Sequence, residues 1–276
     1  MRKQTMSDYK LIAFDMDGTL LNSEKKISEE TQHMIQQAFD AGKEVVLSTG
    51  RCMAELQDYL KILSGLRYAI CVSGALVYDL KEKKKIFTRG IPLALAEQIL
   101  EASKKEDTMV QVLTMESIVQ SDRISCMSRY GMGQYQPMFE RITRKVDDIY
   151  AFYGEYIREA EKINLYHRTV EDRERSRERL KALELELADA EETSLECSAL
   201  GVTKGLGLQK LCEYLNIPMA QTIAVGDADN DIDILKAAGL SIAMGNANET
   251  VKGICDVVVS DCDHDGCAEA IRRYLL

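Results

Sequence analysis

Four carboxylates stand in patterns that could do chemistry: Asp15 and Asp17 in Phe14-Asp15-Met16-Asp17-Gly18-Thr19, and Asp227 and Asp231 in Gly226-Asp227-Ala-Asp-Asn230-Asp231. Brought to one place, they would repel by several kcal/mol at intermediate dielectric. Such a group needs a cation. Oxygen ligands without His or Cys favour a hard divalent ion, with Mg²⁺ the first choice. Lys204 and the pair Thr49-Gly50 add a cation and a turn that suit a phosphoryl group. Asp15 could then attack phosphorus as a nucleophile. Asp17 could protonate the leaving oxygen and later take a proton from water.

Each signal has a plain structural explanation when taken alone. Asp17-Gly18 is an ordinary turn pair. Asp229 and Asp231 favour a helix N-terminus, so capping would explain them. Thr49-Gly50 is an ordinary strand-to-helix turn. Lys204 is less easily dismissed, because a cation in the first turn opposes the helix dipole by ~0.3–1 kcal/mol and so points to a nearby anion.

The surrounding elements decide whether these residues meet. Residues 10–15 form an apolar run ending in acid, as in a strand buried on both faces. Ser28 is a candidate N-cap for a helix with Met34, Ile35, Ala38 and Phe39 on one side, stopped by Gly42. Strands are expected at 44–48 and 68–72, with a helix carrying Met53, Leu56, Leu60 and Leu63 between them. Further on, Thr203 caps a helix carrying Leu208, Leu211, Cys212 and Leu215. A strand at 221–225 runs into Gly226-Asp227, and a short helix spans 232–238. Strands follow at 240–244 and 256–260, and a last helix at 266–276. Alternation of this kind gives an α/β fold with a parallel sheet and helices on both faces. Ligands of such sheets sit beyond the carboxyl ends of the strands. Asp15, Thr49 and Asp227 all fall at such ends.

The rhythm changes after residue 81. Lys81 to Lys85 read as the tip of a hairpin between 75–78 and 86–88. Pro92 opens a helix through Leu100. Strands are expected within 109–120, at 162–166 and at 193–197, with a highly charged helix over 171–183. The text of the sequence therefore divides into a discontinuous core, 1–81 and 198–276, and an inserted second domain, 82–197.

Composition narrows the class. The chain has 276 residues, 45 acidic and 35 basic, for a net charge of -10. That balance argues against nucleic-acid or anionic-membrane partners. No apolar run approaches the ~20 residues of a membrane span. Residues 1–10 lead into Leu11 to Phe14, too short for the apolar core of a signal peptide. The eight cysteines are scattered with no CxxC pair, as in a cytoplasmic protein with reduced thiols. His33, His167 and His264 are too far apart in sequence to suggest a zinc site or a triad.

The segment Ile12-Ala-Phe-Asp15-Met-Asp17-Gly-Thr-Leu20 resembles the first motif of the haloacid-dehalogenase superfamily phosphatases. Leu47-Ser-Thr49-Gly-Arg51, Gly201-Val-Thr-Lys204-Gly205 and Gly226-Asp227-Ala-Asp-Asn230-Asp231 resemble the second, third and fourth, in order. Ala243-Met-Gly-Asn246-Ala247 and Asp265-Gly266 are similar to segments of its Cof-like subfamily (IIB). The resemblance implies a Rossmann-like core with an inserted α+β cap, and Mg²⁺-dependent hydrolysis of small phosphorylated metabolites through an aspartyl-phosphate, with sugar phosphates the first choice and nucleotide or cofactor monophosphates next. It makes Asp15 the nucleophile and a metal ligand. Asp17 becomes the acid/base and lends its backbone carbonyl to the metal. Thr49, Lys204 and Asn230 would hold phosphate, with the backbone of Met16 and Gly50. Asp227 would be a metal ligand, and Asp231 a ligand through water or a support. At Ser73-Gly74-Ala75 the chain departs from the usual Asn-Gly-Ala. Two other readings fit part of the pattern. A phosphotransferase or mutase would use the same core residues. A receiver-like switch would hold an aspartyl-phosphate, but has no need of Asp17, of the late Asp227/Asp231 pair or of the long insert.

Overall fold

A computed structural model describes residues 9–156, 159–189 and 191–276. Residues 1–8, most of the stretch weighed above as a leader, lie outside the described residues. The chain forms two compact units: Met1–Gly50 with Asp58–Phe87 and Thr203–Leu276, and Arg51–Gln57 with Thr88–Val202.

The first unit is built on one eight-stranded sheet. Its early elements are β1 (Leu11–Phe14), α1 (Glu29–Asp40), β2 (Glu44–Ser48), α2 (Gln57–Ile62), β3 (Tyr68–Cys71), β4 (Leu76–Asp79) and β5 (Lys84–Thr88). The second unit contains α3 (Leu93–Ser103), β6 (Thr108–Leu113), β7 (Ser117–Gln120), α4 (Ser121–Ile124), α5 (Gln136–Ile142), β8 (Arg144–Val146), α6 (Ile149–Tyr156), β9 (Lys162–His167), α7 (Val170–Leu180), β10 (Leu185–Asp189) and β11 (Ser194–Ala199). The chain then returns to the first unit with α8 (Lys204–Leu215), β12 (Thr222–Gly226), α9 (Ile232–Ala237), β13 (Leu240–Ala243), α10 (Glu249–Ile254), β14 (Val257–Val258) and α11 (Gly266–Ala270).

The first sheet runs β14-β13-β12-β1-β2-β3-β4-β5. Pairing is parallel from β14 through β3, and β4 returns antiparallel to β3. Leu11 to Phe14 are buried throughout, as a central strand covered on both faces requires. Register places Phe14 beside Val225 of β12 and Leu47 of β2. The residues just beyond these three strands are therefore neighbours. Ser28 caps α1, its Oγ accepting from the Thr31 N–H, and the helix buries Met34, Ile35 and Ala38. Gly42 follows in the left-handed conformation that ends such a helix.

The second sheet runs β10-β11-β9-β6-β7-β8. It is antiparallel except for β7 beside β8. Val110, Val112, Ile163, Leu165, Leu195 and Cys197 line one face and pack with Ile99, Leu100, Tyr153 and Leu180 of the helices.

Several expectations are corrected. The helix after Thr49 begins as a 3-10 turn, Met53–Leu56, before α2. The charged helix ends at Leu180, and Leu183 instead covers the apolar core from a turn. Leu185 to Asp189 form a strand that alternation hid between charged neighbours. The strand at 256–260 shrinks to two residues. The last helix loosens into a wider π turn at Ile271–Leu275. Among the described residues, no helix is long and apolar enough to cross a membrane.

Candidate active site

The site grows from the carboxyl end of β1. Asp15 follows the strand directly, and its N–H donates to the Val225 carbonyl at 3.0 Å. That bond continues the ladder by one residue and fixes the carboxylate against β12. Lys204 comes from the first turn of α8, which Thr203 caps by accepting from the Leu206 N–H at 3.1 Å. The Lys204 side chain is only 1% exposed. Its ammonium donates to Asp15 Oδ1 at 2.5 Å and to Asp231 Oδ1 at 2.6 Å. The anion that its position called for is thus a pair of carboxylates.

Asp231 is fully buried and uses both oxygens. Oδ1 accepts from Lys204, and Oδ2 accepts from the Asp227 and Ala228 N–H groups at 3.1 and 3.2 Å. Capping therefore explains half of Asp231, and the ion pair the other half. Asp227 accepts at Oδ1 from the Thr19 hydroxyl at 2.7 Å. One oxygen from each of Asp15, Asp227 and Asp231 lies within 4.8 Å of the others. Gly18 makes room for this. Its φ is +85°, and a Cβ there would sit 2.4 Å from Asp227 Oδ2. The Gly18 carbonyl is held in turn by Asn246 Nδ2 at 2.8 Å.

Charge in this group is unbalanced. Three carboxylates face one ammonium, a formal excess of two negative charges. Burial pushes the Asp15 carboxyl up to about 8, with Lys204 pulling it down and Asp231 and Asp227 adding to the rise. Burial likewise pushes Asp227 up to about 6, against the hydrogen bond from Thr19. Burial works to lower the Lys204 ammonium, but Asp15 and Asp231 overcome it and hold the group charged. The donor set fits a hard divalent cation: oxygen only, partly neutralised, and short of two positive charges.

The other expected residues are placed as follows. The Asp17 side chain stands outside this trio; it is 38% exposed and its Oδ1 lies 2.9 Å from Lys25 Nζ. Four converging carboxylates were expected, and three converge. Met16 is buried and its carbonyl accepts from the Leu21 N–H at 2.8 Å. Thr49 is buried at the end of β2, with its N–H on the Ile70 carbonyl at 2.9 Å. Gly50 follows it, half-buried, and Asn230 is exposed at the turn before α9. Ser73, where the family usually has Asn, donates its backbone N–H to the Thr49 carbonyl at 3.0 Å. Val72, Ser73 and Gly74 are all left-handed, with φ of 52°, 56° and 96°. A Cβ at Gly74 would meet the Thr203 carbonyl at 1.9 Å, so only glycine lets this turn approach the start of α8. Thr19, Lys25 and Asn246 were not singled out beforehand. Thr19 and Asn246 both lie inside quoted motifs, whereas no pattern marked Lys25.

Comparisons with known proteins identify the family. The pattern of the haloacid dehalogenase-like hydrolases matches residues 12–271. A 5-amino-6-(5-phospho-D-ribitylamino)uracil phosphatase of Bacillus subtilis (strain 168), YcsE, is 33% identical over 98% of this chain and 97% of its own length. Phosphatase YwpJ of the same organism is 32% identical over 96% of this chain and all of its own. The solved structure of a haloacid dehalogenase-like hydrolase from B. subtilis is 28% identical, with a TM-score of 0.84 over 96% of this chain and 99% of that one. The chain belongs to the haloacid dehalogenase-like hydrolase family, in its Cof-like subfamily, and is an enzyme of the phosphatase kind.

Proposed function

We propose that the protein is a Mg²⁺-dependent hydrolase of small phosphomonoesters, sugar and polyol phosphates foremost, working through an aspartyl-phosphate in the cytoplasm. The observation that carries this reading is the trio of buried Asp15, half-buried Asp227 and buried Asp231, with Lys204 bridging two of its members. A structural ion pair needs one carboxylate per cation, and this arrangement has two to spare. Asp15, Asp227 and the backbone carbonyl of Asp17 would hold Mg²⁺, with Asp231 acting through water or as a support. The ion supplies positive charge to the phosphoryl oxygens when bound.

The remaining chemistry belongs to the chain. Thr49, Lys204 and Asn230, with the N–H groups of Met16 and Gly50, hold the phosphoryl oxygens. An Asp15 oxygen bonds to phosphorus as the ester P–O bond breaks, and the Asp17 carboxyl protonates the departing alcohol. Asp17 then takes a proton from water. The water oxygen bonds to phosphorus, the Asp15–phosphorus bond breaks, and inorganic phosphate leaves with both carboxyls restored. Asp17 Oδ1 lies 2.9 Å from Lys25 Nζ, and a half-exposed pair of this kind contributes only ~0–1 kcal/mol, so it opens readily. The substrate range is supported by the relative that acts on a phosphorylated ribityl compound.

The test is release of phosphate from p-nitrophenyl phosphate and from a panel of sugar and polyol phosphates, with Mg²⁺ and with EDTA. The wild type releases many equivalents only with Mg²⁺, and Asp15→Asn releases none. Release that stops at one equivalent, or an Asp15→Asn variant with wild-type turnover, rejects the mechanism.

A further inference from the structure

Met244 to Asn248, the segment after β13, bonds to three other stretches of the first unit. Its backbone is fixed to the loop after β12. The Met244 N–H donates to the Gly226 carbonyl at 3.0 Å, and the Asn248 N–H to the Asp227 carbonyl at 3.3 Å. The Asn248 side chain donates to Asp229 Oδ1 at 2.9 Å and caps α10 by accepting from the Val251 N–H at 2.9 Å. The Gly245 N–H donates to the Ser260 carbonyl at 3.2 Å. The segment is thus anchored on both sides of Asn246.

The Asn246 amide is used at both ends. Nδ2 donates to the Gly18 carbonyl at 2.8 Å, and Oδ1 accepts from the Cys262 N–H at 3.0 Å. Turning the amide over would set oxygen against oxygen at Gly18 and N–H against N–H at Cys262, so its partners fix its direction. Gly18 is where the two acidic loops approach closely: a Cβ there would lie 2.4 Å from Asp227 Oδ2. The next residue, Thr19, donates its hydroxyl to Asp227 Oδ1 at 2.7 Å, and its carbonyl accepts from the Cys267 thiol at 3.3 Å. A thiol is a weak donor, so the Asn246 amide is the stronger hold on this turn.

We propose that Asn246 is a positioning residue for the metal: by holding the Gly18 carbonyl it sets how closely the Asp15 loop approaches Asp227, and so how tightly the carboxylate trio binds Mg²⁺. This rests on the Mg²⁺-dependent reading above. Asn246 is exposed, so its bonds add little to folding. Their effect falls on placement. Thr19 bonds to the Asp227 carboxylate directly, and partners of that kind typically change metal affinity by ~10–100-fold. Asn246 acts one step further out, through the backbone of Gly18, and its effect is correspondingly smaller.

The test is the Kd for Mg²⁺ obtained from the rise of Tm with Mg²⁺ in the full-length protein without substrate. Asn246→Ala and Asn246→Leu should melt close to wild type in EDTA. Their Kd should rise by about three- to tenfold, the worth of one hydrogen bond. Turnover of p-nitrophenyl phosphate should need more Mg²⁺ by the same factor, yet at saturating Mg²⁺ keep kcat and KM within about twofold of wild type. Asn248→Ser retains an oxygen to cap α10 and leaves the bond to Gly18 in place, so its Kd should stay within about twofold of wild type. An unchanged Kd in the Asn246 variants, with or without a lower Tm in EDTA, overturns the assignment and leaves the phosphatase reading intact. An equal rise of Kd in Asn248→Ser does the same. A wild type whose Tm ignores Mg²⁺ and whose phosphate release ignores EDTA overturns the Mg²⁺ reading and this assignment together.

Discussion

Lys204 Nζ lies 2.5 Å from Asp15 Oδ1, although 189 residues separate the two in sequence. The contact brings the start of α8 to the end of β1 and places a cation among three carboxylates. Lys204→Met would leave Asp15 and Asp231 facing each other without their shared donor. Removing one partner of a buried ion pair typically costs ~3–5 kcal/mol. Thermal unfolding in EDTA should show a clear drop in Tm, part of which Mg²⁺ recovers, and phosphate release should be lost. An unchanged Tm in EDTA would mean that the ion pair contributes nothing.

Asp17 is assigned chemistry and little structure. Asp17→Asn should lower turnover by ~10²–10⁴-fold, the usual contribution of a general acid or base. Lys25→Met removes its half-exposed partner and should leave both stability and turnover near wild type. Equal losses in the two variants would make the pair, and not proton transfer, the essential feature.

Gly18→Ala tests the geometry without replacing a charged group. The new methyl would fall 2.4 Å from Asp227 Oδ2, on a backbone at φ +85°. Either the loop or Asp227 must move. A displacement of about 1 Å can cost roughly 10²-fold in rate. Steady-state phosphate release should fall by about that factor while circular dichroism stays unchanged. Wild-type rates would mean that Asp227 needs no fixed position.

His167 gives a dependence on pH that is independent of catalysis. It is buried in the second unit, with Nδ1 3.1 Å from the Thr193 carbonyl and Nε2 2.8 Å from Ser176 Oγ. A carbonyl only accepts, so Nδ1 carries the proton, and in the neutral ring Nε2 then accepts from the hydroxyl. This is the neutral ring. Burial lowers its pKa below 6.5; the Thr193 carbonyl, Asp172 and Glu106 oppose the shift, and Arg173 adds to it. On acidification the unfolded chain takes up the proton first, so stability is full above pH 6.5 and declines as pH falls from there toward the folded value. Melting curves between about pH 7.5 and pH 5 should show a steeper loss for wild type than for His167→Gln. Parallel slopes would reject the assignment.

The sequence by itself determined most elements of the first unit and marked Asp15, Asp227, Asp231 and Lys204 as candidates before any contact between them was known. Buried strands on both faces of a parallel sheet read as unbroken apolar runs, and Asp15, Thr49 and Asp227 mark their carboxyl ends. Lys204 was legible as an anion partner because a lysine in a helix's first turn is locally unfavourable. Only the tertiary structure decided which anions it meets, and that Asp17 pairs with Lys25 while the other three carboxylates converge. Such choices depend on loop paths that no local pattern encodes. The second unit was less legible for a related reason. Its sheet is polar on one face, so strands such as Leu185–Asp189 lack the apolar run that marks a core strand. The bonds that tie Gln111 to Glu55, Ser117, Asn164 and Tyr166 likewise exist only once β6, β7 and β9 are in register.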